Sequence, residues 1–247
     1  MQLDDSPSPD HAAALEAENA FLRQGLADAG LRNRHMLHEL QHRARNTFAV
    51  VRSIVRRTAT TSHTVEDYAM HLTGRLDAVA RAEAMTSFDP QGSACLQSLL
   101  LEELLAHAME EGDQVSLDGP SVRLRGKAAE MLALALHELT VNAVKFGALS
   151  TPEGRVAVRW GIDPAPAGDA AGDVGGDGRV LRLAWREAGA GVADAPAGPR
   201  GFGTEMIERT LAYELGATAS LGFGREGAWC DIAVPLADTI VVPGAGP

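Results

Sequence analysis

The stretch MLALALHELTVNAVKFG, Met131 to Gly147, decides how the rest of the chain is read. At about 100° per residue it is an apolar helix carrying one polar seam. Glu138 and Asn142 are four apart and Asn142 and Lys145 three apart, so all three stack on one face. The remaining faces are Leu, Ala, Val and Phe, which predicts a largely buried helix. A buried acid, amide and ammonium in line need polar partners. An internal Glu138–Lys145 pair, with Asn142 bonded to backbone, would satisfy them. So would a pocket wall for a charged ligand with a metal ion, since an amide oxygen suits Mg²⁺ and Lys145 suits a phosphate. The helix alone leaves both readings open.

Downstream, strands are predicted from alternation: Val156, Val158 and Trp160; Leu181, Leu183 and Trp185; Cys230, Ile232 and Val234. The Gly/Ala/Asp-rich run after Asp163 reads as a hairpin tip. Two glycine segments follow the central helix. Trp185-Arg186-Glu187-Ala188-Gly189-Ala190-Gly191 closes a strand, and Gly201-Phe202-Gly203-Thr204 opens a helix predicted to run to about Leu215. Glycine lets backbone approach a flat base or a phosphate, and a helix N-terminus offers free amides to an anion. Either segment alone is a common turn. Their order, after a helix with a polar seam, is what carries information.

Upstream, a helix is predicted over Leu96 to Glu110 and a hairpin over Val115 to Leu124, turning at Asp118-Gly119-Pro120. Residues 1–10 read as disordered. Residues 11–34 read as an N-terminal helix, a candidate short coiled coil. Residues 35–88 read as an antiparallel helical hairpin. Its first helix has a stripe of Leu37, Leu40, Ala44, Phe48, Val51 and Val55, predicted to be buried. Its second starts near a cap at Ser62 or Thr64 and buries Tyr68, Leu72, Leu76 and Val79. A boundary falls at Asp89-Pro90-Gln91-Gly92, a catalytic domain spans 93–236, and 237–247 is a loose tail.

His42 lies about 155° from the stripe, facing solvent, with Asn46 one turn on. A neutral imidazole nitrogen is nucleophilic, and near a pKa of about 6.5 most are neutral at physiological pH. His38-Glu39-Leu40-Gln41-His42 also matches H-E-x-x-H, the zinc protease motif. That site needs a third ligand, for which Glu66 or Glu83 would have to serve, and Arg43 and Arg45 next to it would repel a dication. His11, His35, His63, His71 and His107 read as surface residues.

A net charge of −11 argues against nucleic acid as a partner. No apolar run reaches the roughly 18 residues of a membrane span, and the start is not a signal peptide. Cys95 and Cys230 form neither a metal-ligand spacing nor a disulfide framework, which fits a reducing cytoplasm.

HELTVNAVKFGALS, residues 137–150, resembles the asparagine box of the ATP-binding domain shared by histidine kinases, gyrase, Hsp90 and MutL. His137 before the acid, together with Trp185-x-Glu187, is similar to the HWE type of sensor histidine kinase, and HELQHRARNTFAVV resembles that family's H-R-x-K-N acceptor motif, with Arg45 in place of Lys. The resemblance implies an α+β fold, a phosphoacceptor and dimerisation hairpin followed by an α/β-sandwich ATP-binding domain with a mixed sheet. It implies ATP and Mg²⁺ as cofactors, Asn142 as the metal ligand, Glu187 on the adenine amino group, and Gly201 and Gly203 over the phosphates. Gly189, Thr204, Lys145 and His137 belong to the same implied nucleotide site. His42 is the implied acceptor; its base is left open, with Glu39 and Glu138 as candidates, and Asn46 is a candidate to position a water that hydrolyses a phosphorylated partner. The partners implied are a response-regulator receiver and a second copy of the chain. Ala190, where the family has glycine, is a departure. A scaffold with a decayed ATP site is the alternative, opposed by intact Glu138, Asn142, Glu187, Gly201 and Gly203.

Overall fold

The computed structural model describes residues 9–89, 91–107, 112, 114–164, 178–189, 202–224, 227–236 and 240–241. The chain divides into two compact units, Met1–Ser53 and Ile54–Pro247.

The first unit is most of one helix, α1 (Pro9–Thr61). Its apolar stripe is not buried within the chain: Leu37, Leu40 and Phe48 are 51%, 56% and 73% exposed. The periodicity thus names an apolar face that is exposed at these three positions. Among the described residues of α1, Ile54 and Thr58 are the fully buried ones.

The second unit opens with the last turns of α1 and continues into α2 (Val65–Phe88), capped by Thr64, whose hydroxyl accepts from the Asp67 N–H at 3.0 Å. The buried face of α2 is Arg75, Ala78, Val79, Ala82 and Thr86. Tyr68, Leu72 and Leu76, expected in the core, are half-buried. The face is turned because α2 packs on the central helix α4 through small residues. A Cβ at Gly74 would come within 2.9 Å of the His137 ring, so glycine is what lets the two helices approach there.

Next come β1 (Ser93–Cys95), α3 (Leu96–Ala106), β2 (Val115–Asp118), β3 (Arg123–Arg125) and α4 (Gly126–Lys145). The expected hairpin of β2 and β3 does not form. β2 pairs in parallel with β4 (Arg155–Pro164), while β3 pairs antiparallel with β1. The turn between them is committed elsewhere: Trp160 Nε1 donates to the Pro120 carbonyl at 2.7 Å. β4 and β5 (Arg179–Ala188) form a ten-pair antiparallel ladder. Its connecting tip lies outside the described residues.

A helical run then crosses α5 (Phe202–Glu205), a π-helical turn (Met206–Thr210) and α6 (Leu211–Leu215) before β6 (Thr218–Gly224) and β7 (Gly227–Pro235). Ile240 and Val241 form β8 on the edge of β3, so this part of the expected loose tail is ordered. The main sheet has the order β2-β4-β5-β7-β6, mixed because its β2 edge alone is parallel. Val156, Val158, Leu181, Leu183, Trp185, Cys230, Ile232 and Val234 all point into the core, and Arg159, Arg182 and Arg186 alternate outward. Helices on one face of a mixed sheet give the α+β class.

Candidate functional site

The seam of α4 forms as the sequence implies, but its partners come from other helices. Glu138 is buried and takes a bidentate grip from Arg75 of α2, Nε to Oε1 at 2.7 Å and Nη2 to Oε2 at 3.2 Å. Arg75 Nη1 donates to Thr58 Oγ1 at 2.8 Å, and Thr58 passes its own proton to the Ile54 carbonyl at 2.7 Å. The internal Glu138–Lys145 pair is therefore not made. Lys145 Nζ lies 3.0 Å from His71 Nε2. His71, expected on the surface, is half-buried, and burial together with the Lys145 and Arg75 charges lowers its pKa.

The glycine segment lies directly on this seam. A Cβ at Gly203 would sit 3.1 Å from Glu138 Oε2 and 3.5 Å from Asn142 Nδ2, so only glycine passes there without displacing them. Phe202, buried, stacks under Arg75, whose guanidinium carbon is 3.6 Å from the ring centre. Arg57 fastens the following turn, pairing with Glu205 at 3.3 Å and donating to Thr210 Oγ1 at 3.0 Å. Thr204 is half-buried in the same turn. Gly201, like Ala190, lies outside the described residues.

Glu187 lies just past the C-terminal end of α4. Its Oε2 accepts from the Ala148 N–H at 2.8 Å and its Oε1 from Trp185 Nε1 at 3.1 Å. Burial raises the Glu187 pKa, and these two donors partly oppose it. Trp185 thus has a role that the sequence does not give: it fixes the acid two residues on. Gly147, which the sequence reading does not single out, makes the approach possible, because a Cβ there would collide with Glu187 Oε2. Gly189 turns the strand end at φ +83°, against the Glu153 carbonyl.

His137 faces away from the glycine segment. Its Nδ1 lies 2.7 Å from Glu103 Oε1, and the same oxygen is 3.1 Å from His107 Nε2. His107 is therefore not a plain surface residue. Glu103 Oε2 is held by Arg81. Burial works against the ionised form, but the two imidazoles and Arg81 outweigh it and hold Glu103 well below the usual carboxylate range. Glu103, His107 and His137 bring three potential metal-ligating atoms together. Both ring nitrogens converge on one carboxylate oxygen at hydrogen-bond distance, and a guanidinium occupies the other. The three side chains and Arg81 form one hydrogen-bonded cluster.

In the first unit, His42 is exposed, and the Asn46 amide lies 3.4 Å from its Nδ1. Arg45 is exposed beside them, and the side chains of Glu39 and Arg43 lie outside the described residues.

A family model for the HWE histidine kinases matches residues 39–121, which span the acceptor stretch and α2. Blue-light-activated histidine kinase 1 of Erythrobacter litoralis is 31% identical over 207 residues, covering 82% of this chain and 53% of that protein. A blue-light-activated histidine kinase of Rhizobium johnstonii is 29% identical over 202 residues, with the same coverage of each chain. The chain is thus similar to the HWE histidine kinases. It spans about half the length of the curated relatives it matches. A solved structure of an E. litoralis blue-light-activated histidine kinase shares the fold, with a TM-score of 0.51 at 20% identity over 82% of this chain and 59% of that one. His137, Trp185 and Glu187, which carry the resemblance to the HWE type in the sequence, are each buried with a defined hydrogen-bond partner. Among the described residues, no helix is long and apolar enough to cross a membrane.

Proposed function

We propose that this chain is a kinase core that binds Mg-ATP against α4, phosphorylates its own His42 and passes the phosphoryl group to an aspartate of a receiver domain. One observation carries the reading: Glu138, Asn142 and Gly203 meet on one face of α4, and Glu187 is fixed just past the C-terminal end of the same helix by Trp185 and Ala148.

The residues fit the nucleotide. Each Glu187 oxygen carries one of these hydrogen bonds and keeps a lone pair to accept from an adenine amino group. The Asn142 amide oxygen suits Mg²⁺, and the Lys145 ammonium suits phosphate charge. Bound Mg-ATP would supply the phosphoryl group and neutralise its charge, so the chain contributes positioning and electrostatics rather than covalent chemistry. At His42, the Asn46 amide nitrogen lies 3.4 Å from ring Nδ1 and steadies the exposed ring, and the neutral imidazole is the nucleophile. The N–P bond forms as the bond to the bridging oxygen breaks and ADP leaves. Arg45, exposed on the same helix, favours an acidic receiver face. The exposed stripe of α1 is the surface through which two copies would pair.

Incubation with radiolabelled ATP and Mg²⁺ tests the reading. Acid-labile label should appear on the native chain and be absent from a His42→Gln variant. Native chain that takes up no ATP in calorimetry with excess Mg²⁺ would overturn it. Nucleotide uptake without label favours the scaffold reading.

A further inference from the structure

We propose that Arg75 is a positioning residue that sets how readily the seam of α4 takes a nucleotide, by clasping Glu138 and Phe202 together and holding Gly203 down on Asn142. The inference rests on the nucleotide reading above and concerns regulation of that same site.

Arg75 uses its guanidinium on three sides. One edge grips both oxygens of Glu138, a third N–H is tied to Thr58, and the flat face lies on the Phe202 ring. The group is 5% exposed, so neither the charge pair nor the cation–π contact is weakened by water. Three consequences follow. The Glu138 carboxylate is neutralised and committed, so it is unavailable to a water or an acceptor proton while Arg75 holds it. Phe202 is pinned, which keeps the next residue, Gly203, so near the seam that a Cβ on it would lie 3.1 Å from Glu138 Oε2 and 3.5 Å from Asn142 Nδ2. The backbone of Gly203 is thereby held beside the part of the seam where phosphates and Mg²⁺ would lie, and competes with them for it. Finally, the clasp is anchored at its back by Thr58 at the end of α1 and carried by α2, so a shift of either helix reaches the seam through one side chain. Arg57 reinforces this from the same turn of α1 through Glu205 and Thr210.

The test uses the full chain with Arg75→Met, Arg75→Lys and Phe202→Leu. Amide exchange of residues 202–210, without nucleotide, reads the clasp, and calorimetry with Mg-ATP reads the site. In Arg75→Met, exchange in that segment should rise about tenfold while the sheet strands keep their protection. Mg-ATP should bind about tenfold tighter, and the KM for ATP should fall more than kcat changes, because a competitor for the site has gone. Arg75→Lys keeps the charge but not the fork or the flat face, so it should fall between the two. Phe202→Leu loosens Gly203 without leaving Glu138 unpaired and should tighten binding about threefold. It decides the matter if Arg75→Met does not fold.

Folded variants whose segment exchanges as in the native chain would overturn the proposal. So would variants that bind Mg-ATP no more tightly than a native chain that does bind it. A purely structural Arg75 would weaken binding instead. If no chain takes up ATP, the nucleotide reading fails and this gate falls with it; exchange still reports separately whether Arg75 pins the segment.

Discussion

Glu187 shows how much depends on a missing atom. Its carboxylate reaches the Ala148 N–H only because residue 147 has no side chain. In Gly147→Ala, the new Cβ collides with Glu187 Oε2 and lies 2.9 Å from the Ala143 Cα, so the acid must leave its donor. An acid already disfavoured by burial would then lose a charge-assisted hydrogen bond, at a cost of about 1–3 kcal/mol. Urea denaturation should show that loss, with Mg-ATP affinity down roughly tenfold. Unchanged affinity would remove Glu187 from the nucleotide site. Gly147 and Arg75 are the residues the sequence reading passes over, although a signal exists for Arg75. It sits three after Leu72 and four before Val79, a charge on a core stripe. Glu103, four after Leu99, carries the same signal in α3. A charge at a core position demands a partner, but its identity is a tertiary fact: Glu138 is 63 residues from Arg75.

At the scale of elements, the α2–α4 interface holds a second charged feature. Glu130 is buried, and burial together with the Glu83 carboxylate facing it pushes its pKa up to about 7. A folded-state pKa raised above its ordinary value of 4.5 means that the proton favours the folded state. The associated stability is full below pH 4.5 and is lost as the pH rises through about 7. Glu103 has the opposite sign: its stabilisation is present above the ordinary carboxylate value and is lost as the pH falls below it. The native chain should therefore lose stability between pH 5 and pH 8, on the order of 1–3 kcal/mol. Glu130→Gln should flatten that slope and be the more stable chain at pH 8, as read by urea midpoints at both pH values. An equally steep decline in the variant would assign the effect to other groups. The interface also explains the turned face of α2: small side chains and a glycine bring the helix onto α4, while leucines one step round remain half-buried.

For the whole molecule, periodicity was legible and destination was not. Strands buried on one face wrote their period of two plainly, and β4, β5 and β7 formed where alternation put them. β2 and β3 are short and pair with strands distant in sequence, so nearness in the chain suggested a hairpin that parallel pairing with β4 replaced. The stripe of α1 was legible in the same partial way: the pattern named the apolar face and not what covers it. Leu37, Leu40 and Phe48 remain more than half exposed in a single chain. Each buried against a second copy would contribute about 1.5–3 kcal/mol. Two-fold pairing counts every one of them twice, against an association cost of about 4–15 kcal/mol. If two copies pair through this stripe, one charge placed on it should break the pair. Light scattering after gel filtration should give twice the mass of the chain, and Phe48→Glu should give the mass of one chain, with helix content unchanged by circular dichroism. Phe48 lies six residues beyond His42 on a different face of the helix, so label transfer within a chain would survive in this monomer, whereas transfer between copies would be lost. A native chain that is monomeric at concentrations of tens of micromolar would leave the stripe to some other occupant.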